Sequence, residues 1–208
     1  MTKTRKAIDA STEEKIKNAA HVVFRKKGYV AARTRDIAEE AGINLALLNY
    51  YFRSKEKLFE LIMSETLTAF SLGLRDVLND ERTTFEEKIE RLVDNYLDMF
   101  TKEPEIPLFV LNELRNRPED LLAKLPVIYL FQNSVFVTQF QERAAAGRMR
   151  EPNLLHFMMN LLGVTIFPFI GQSLIMVLGG LDESQFNRLI QERKKRIPVW
   201  IKAIMEAE

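Results

Sequence analysis

The chain has 208 residues, 47% of them hydrophobic and 28% charged, an ordinary soluble composition long enough for one large domain or for a small domain joined to a larger one. It has no cysteine, which excludes disulfides and thiolate metal sites and fits a reducing compartment. The net charge of +1 hides an asymmetry: residues 1–60 carry 13 Lys and Arg against 8 Asp and Glu, the remainder 17 against 21, so a basic front suited to a polyanion precedes an acidic body.

Apolar residues recur at helical spacing almost throughout, and no clear run alternates as a strand would, so the expected fold is all-α. The opening residues, MTKTRKAIDASTEE, lack the apolar core of a signal peptide. Ser11 with Glu14 reads as a capping box for a first helix near 12–27, with Ile16, Ala19, Ala20, Val23 and Phe24 as its buried stripe and Gly28 as its end. Thr34 reads as the N-cap of a second helix near 35–41, Gly42 as a turn, and Asn44 as the N-cap of a third near 45–51. Ser54 caps a long fourth helix to about Asn79, and Thr83 with Glu86 opens a fifth that Pro104 stops. Further helices are expected at 106–116, 119–146, 153–178 and 183–206, the last opened by Asp182 and Gln185.

The second and third helices with their glycine turn have the order of a helix-turn-helix, which places one helix in the major groove of DNA. Such a helix must be short, supported from behind and flanked by groups that hold phosphates. Ile37, Ala38, Ala41, Ile43, Leu48 and Phe52 supply the support, and the two alanines let the helices cross closely. That leaves Asn44, Leu45, Ala46, Leu47, Asn49 and Tyr50 facing outward or sideways. Asn49 can pair bidentately with adenine, and Leu45 or Leu47 can touch a thymine methyl. Tyr50, Tyr51, Arg53 and Lys55 can donate to phosphates, and Thr34, followed by Arg35, can offer its hydroxyl and a helix N-terminus to another.

At these residues the chain resembles the DNA-binding domain of the TetR (tetracycline-repressor-like) family. The matching elements are a first helix ending in FRKKGY, then T-x-x-x-I-A-x-x-A-G-I, then L-x-YYF-x-SKEKLF, together spanning residues 12–59. Two positions depart from the commonest pattern: Ala46 stands where the family often has Gly or Pro, and Asn49 where it often has a tyrosine used at the DNA backbone. Tyr51 and Lys55 match the family's usual phosphate-contacting positions. The resemblance implies an N-terminal three-helix helix-turn-helix domain, residues 1–54, joined by a long helix to a larger helical ligand-binding and dimerisation domain, residues 55–208. It implies a homodimeric, cytoplasmic repressor that binds a palindromic operator in double-stranded DNA and is released by a small molecule.

The resemblance also places dimerisation on the last two long helices, with Phe167, Leu174, Phe186, Ile190, Ile197, Trp200, Ile201 and Ile204 as the expected interface and Arg193–Arg196 as a solvated edge. Residues 157–181 hold no charged residue. Asn160, Thr165, Pro168, Gln172 and Ser173 interrupt the run, so a helix buried on nearly all sides is expected rather than a membrane span. The small-molecule effector would lie in the body. Its expected contacts are Tyr96, Phe100, Phe109, Asn112, Glu113, Tyr129, Phe136, His156 and Asn160, and Phe131, Gln132, Met158 and Met159 are candidates beside them. Aromatics and Met with few polar groups suit a largely apolar or aromatic ligand. Aromatics at helical spacing also suit an ordinary core. No nucleophile elbow, phosphate-binding glycine loop or HExxH appears, and the two histidines lie far apart, so neither catalysis nor a cofactor or metal is expected.

Overall fold

The computed structural model describes residues 2–116, 118–119 and 131–205. Among them are ten helices and no strand: α1 Thr2–Ala31, α2 Thr34–Glu40, α3 Leu45–Tyr51, α4 Lys55–Leu78, α5 Phe85–Lys102, α6 Ile106–Asn116, α7 Val135–Ala145, α8 Leu154–Ile170, α9 Gln172–Gly179 and α10 Glu183–Met205. The chain divides into two compact units, Met1–Leu67 and Thr68–Glu208. The division falls within α4, later than the expected 54–55, because the first turns of α4 bury Leu58, Phe59, Ile62 and Met63 in the N-terminal core.

In the N-terminal unit, α1 buries the expected stripe of Ile16, Ala19, Ala20, Val23 and Phe24. It starts well before Ser11, since nothing between Lys3 and Ala10 breaks a helix. Gly28 interrupts it with φ 71° and ψ 163°, a conformation open to a residue without a β-carbon, and a last turn continues to Ala31. Tyr29, just past the break, lies 4.5 Å from the Phe59 ring, and Phe59 meets Phe24 edge-on at 5.1 Å.

The C-terminal unit is built around α5, which buries Phe85, Ile89, Leu92, Val93, Leu97 and Phe100 and packs chiefly on α10. Its capping box is Thr84 with Glu87, one residue later than expected. Phe85 stacks on Phe136 at 4.7 Å, and Phe157 lies 5.3 Å from Phe140, forming an aromatic core whose members are each at most 2% exposed. Each such ring contributes roughly 2–3 kcal/mol by its burial.

Two helices expected to be continuous are broken. The one expected over 119–146 stops before Ser134, whose hydroxyl accepts from the Val137 N–H at 3.3 Å and starts α7; residues 120–130 lie outside the described part. The one expected over 153–178 bends by 73° at Gly171, between α8 and α9. Among the described residues no single helix is long and apolar enough to cross a membrane; α8 and α9 reach that length only together, as this bent pair.

Pro168 sits inside α8 and has no N–H to offer the Val164 carbonyl, the acceptor one helical turn back. Arg193 of α10 supplies the missing donor: its Nη2 hydrogen-bonds that carbonyl, and its guanidinium lies 5.2 Å from the centre of the Trp200 ring. Burial lowers the Arg193 pKa from its ordinary value. The expectation that 193–196 form a solvated edge therefore fails at Arg193, and also at Lys194, which pairs with Asp98 of α5 at 2.5 Å.

Candidate functional site

The α2–α3 turn is fixed by backbone geometry. The Gly42 N–H bonds the Glu39 carbonyl and the Ile43 N–H reaches back to Ala38, both at 3.0 Å, the paired bonds of a Schellman ending. Gly42 has φ 63°, the left-handed value such an ending requires. Two residues on, Asn44 caps α3, its Oδ1 accepting from the Leu47 N–H at 2.8 Å. Behind the turn Ile37, Ala38, Ala41, Leu48 and Phe52 are all buried, and Ile43 is half-buried.

This support leaves a continuous outward face. Asn44, Leu45, Ala46, Leu47, Asn49 and Tyr50 are exposed, as the sequence led one to expect. Tyr50 is 79% exposed and meets the half-buried Tyr51 edge-on at 5.4 Å. The face offers amide groups, methyl-sized apolar surface and phenols, the chemistry that reads base edges and phosphates. Arg53, in the α3–α4 turn, is exposed beside it.

At the start of α2 the N-cap is Arg33, and Thr34 is the first helical residue. The Asp36 carboxylate takes Lys27 at 3.1 Å and the Arg33 N–H at 3.0 Å. The Lys27 contact, with that N–H, holds its carboxyl below the usual range. The pairing neutralises an acid in the same first turn as Thr34 and Arg35, where an anion would otherwise be repelled.

Lys55 has a role the sequence did not disclose. Its Nζ donates to the Tyr29 and Ala32 carbonyls, at 2.8 and 2.9 Å, and lies 4.3 Å from the Tyr29 ring centre. Two of its three donors therefore close the end of α1, and the ammonium is positioned by the protein itself. Lys55→Met is expected to cost the N-terminal unit about 2 kcal/mol by unpairing two carbonyls, whereas Tyr50→Ala should leave melting unchanged. Both should weaken DNA binding. Thermal melts beside gel-shift titrations check this, and a Lys55→Met protein that melts like the wild type would remove the anchoring role.

In the C-terminal unit, a cavity of about 410 Å³ is lined by Ser71, Leu74, Arg75 and Leu78 of α4, Leu92, Val93 and Tyr96 of α5, Phe131 and Gln132, and Leu154, Leu155, Met158, Leu161, Leu162 and Thr165 of α8. Phe131, Gln132 and Met158, candidates from the sequence, line it, and so does one of the expected contacts, Tyr96. The Tyr96 hydroxyl is pushed up to about 12 by burial, so it stays a neutral phenol. Phe100, Phe109 and Phe136 are buried in the core instead, where rings at helical spacing pack against each other. Asn112, His156 and Asn160 are exposed, with His156 Nδ1 3.0 Å from Glu151, and Glu113 is half-buried outside the lining. Tyr129 lies outside the described residues. Ser71 and Arg75 were missed; the visible signal was two polar residues one turn apart within the apolar stripe Leu67, Leu74, Leu78.

The expected interface divides in two. Phe186, Ile190, Ile197 and Ile201 are at most 1% exposed within one chain, so they are core of the C-terminal unit, facing α5 and α8, and present nothing to a second copy. Phe167, Leu174, Trp200 and Ile204 are exposed, at 56%, 56%, 40% and 37%. Val177 and Leu178 of α9 and Val199 of α10 add to them. Exposed apolar side chains thus recur on α8, α9 and α10.

Residues 16–62 match the family model described as bacterial regulatory proteins, tetR family. Over 201 residues, 95% of each chain, the protein is 25% identical to a probable HTH-type transcriptional regulator, YttP, of Bacillus subtilis (strain 168). It is 26% identical over 209 residues, 86% of this chain and 95% of the other, to the HTH-type transcriptional repressor KstR2 of Mycolicibacterium smegmatis. In fold it is similar to the transcriptional regulator FadR from Bacillus subtilis in complex with stearoyl-CoA, with a TM-score of 0.60 at 16% identity over 92% of this chain and 98% of that one.

Proposed function

We propose, from the premise that this chain is a DNA-binding transcriptional regulator of the tetR family, that it acts as a homodimeric repressor released from a palindromic operator by a small amphipathic or apolar ligand. The observation that carries the DNA part is the outward face of α3, exposed from Asn44 to Tyr50 except at Leu48, which is buried to 1% and holds the helix from behind. Asn49 and the leucines supply base-edge contacts, and Tyr50, Tyr51, Arg53 and the third donor of Lys55 supply phosphate contacts.

The exposed apolar residues of α8, α9 and α10 support a second copy as partner, and a two-fold dimer would present two α3 helices to successive major-groove faces. The cavity supports control by a ligand rather than by a protein partner alone, since its volume falls within the roughly 300–1,000 Å³ of small-molecule sites. The FadR relative in fold binds stearoyl-CoA, which is consistent with an apolar occupant. Release would follow by population shift. α4 lines the cavity with Ser71, Leu74, Arg75 and Leu78 and is continuous with the turns that carry Leu58, Phe59, Ile62 and Met63, so a ligand favouring one position of α4 disfavours the DNA-bound state.

Selection of bound duplexes from a random pool tests this. Inverted half-sites about 34–36 Å apart are expected. Enrichment of a single half-site, or of no sequence, would overturn the reading.

A further inference from the structure

Resting on the reading of the cavity as the effector site, we propose that its ligand is an acidic amphiphile: an apolar chain that fills the cavity, with a carboxylate or similar anionic head held by Arg75. Ten of the described lining residues are Leu, Val, Met or Phe, an environment that takes hydrocarbon and rejects a charge anywhere but at the edge. The polar residues among them are Ser71, Arg75, Tyr96, Gln132 and Thr165. Four are neutral: Tyr96 is held as a phenol by burial, and Thr165 spends its hydroxyl proton on the Leu161 carbonyl at 2.7 Å. Arg75 is the single charged residue of the described lining, which holds no carboxylate.

The position of Arg75 suits a head group. It is exposed, whereas its neighbours on the same face of α4, Ser71, Leu74 and Leu78, are buried, so the cation stands where the cavity meets water. Its guanidinium is not saturated. Nε and Nη2 approach one oxygen of Asp76 at 3.4 Å each, long beside the about 2.7–2.9 Å of a good charge-assisted bond, and Asp76 is itself exposed. The nearby Asp80 carboxylate is taken by Arg82 at 3.0 Å and Arg91 at 3.1 Å and does not compete for it. A ligand carboxylate can therefore replace a poor contact with a bidentate one. A cationic ligand would meet Arg75 and find no acid in the described wall.

Calorimetric titration of the full-length protein with decanoate, methyl decanoate and decylamine tests this in the wild type, Arg75→Met, Arg75→Lys and Leu162→Trp. Decanoate should bind about tenfold or more tightly than its ester, with decylamine weakest. The gap between acid and ester should close in Arg75→Met and be partly kept in Arg75→Lys, and decanoate should release operator DNA from the wild type, less readily from Arg75→Lys, and least from Arg75→Met. Leu162→Trp, which narrows the cavity at a half-buried position, should weaken acid and ester alike. Equal affinities for acid and ester, or a gap that survives in Arg75→Met, would overturn the acidic head while leaving the cavity as the effector site. Failure of all three probes to bind, or binding indifferent to Leu162→Trp, would overturn the cavity reading itself.

Discussion

Replacing Lys88 by Met is expected to remove about 3 kcal/mol of stability from the C-terminal unit. Lys88 is 0% exposed, and its three donors all find acceptors: the Asp80 and Thr83 carbonyls at 2.7 Å each and the Thr83 hydroxyl at 2.9 Å. The ammonium thus closes the loop between α4 and α5, and burial lowers its pKa from the ordinary value. Met preserves most of the side-chain volume, so the loss falls on polar groups left without a donor rather than on a cavity. The Thr83 carbonyl keeps one partner, Gln139 Nε2 at 3.0 Å, which holds the expected loss nearer 3 than 5 kcal/mol. The single tryptophan, Trp200, lies in this unit and reports its unfolding in urea by fluorescence. A shift below about 0.5 kcal/mol would show that the lysine is dispensable to the loop.

The second large effect concerns assembly. Phe167→Asp with Trp200→Asp should turn a sedimenting dimer into a monomer and weaken operator binding by about 100-fold, since two linked half-site contacts become independent. Both side chains are exposed, at 56% and 40%, so within one chain the exchange removes little beyond the contact of the Trp200 ring with Arg193, and the C-terminal unit should lose no more than about 1 kcal/mol. Phe186→Asp, by contrast, should unfold this unit, because Phe186 is 1% exposed and lies 6.5 Å from the Phe169 ring. A dimer that persists with Phe167 and Trp200 both changed would move the interface elsewhere.

The N-terminal unit was largely legible in the sequence because its determinants are local. A glycine at φ 63°, an asparagine cap two residues later and buried residues at helical spacing define α2 and α3 within a short window. The body was legible as helices but not as a site. Phe100, Phe109 and Phe136 looked like ligand contacts because an aromatic in a core and one in a pocket have the same spacing, and only the packing of α5 against α7 and α8 tells them apart. Lys55 read only as a phosphate contact and Lys88 carried no reading, yet each spends donors on backbone carbonyls at separations that leave no pattern in the sequence. Half of the expected dimer stripe is core for a similar reason: α10 is apolar on two sides, and periodicity cannot say which side its own chain covers.

The proline within α8 carries a mechanical consequence. A straight helix keeps its hydrogen bonds to itself and can slide against a neighbour at little cost. At Pro168 the Val164 carbonyl has instead been handed to Arg193 on α10, and the same guanidinium keeps a buried Nε with no partner of its own. Any displacement between α8 and α10 must strip that carbonyl before it can be replaced, a penalty of about 1–3 kcal/mol with nothing gained part-way. The joint is therefore expected to act as a latch, engaged or released. Motion reaching these helices is resolved into discrete positions rather than absorbed as a gradual drift.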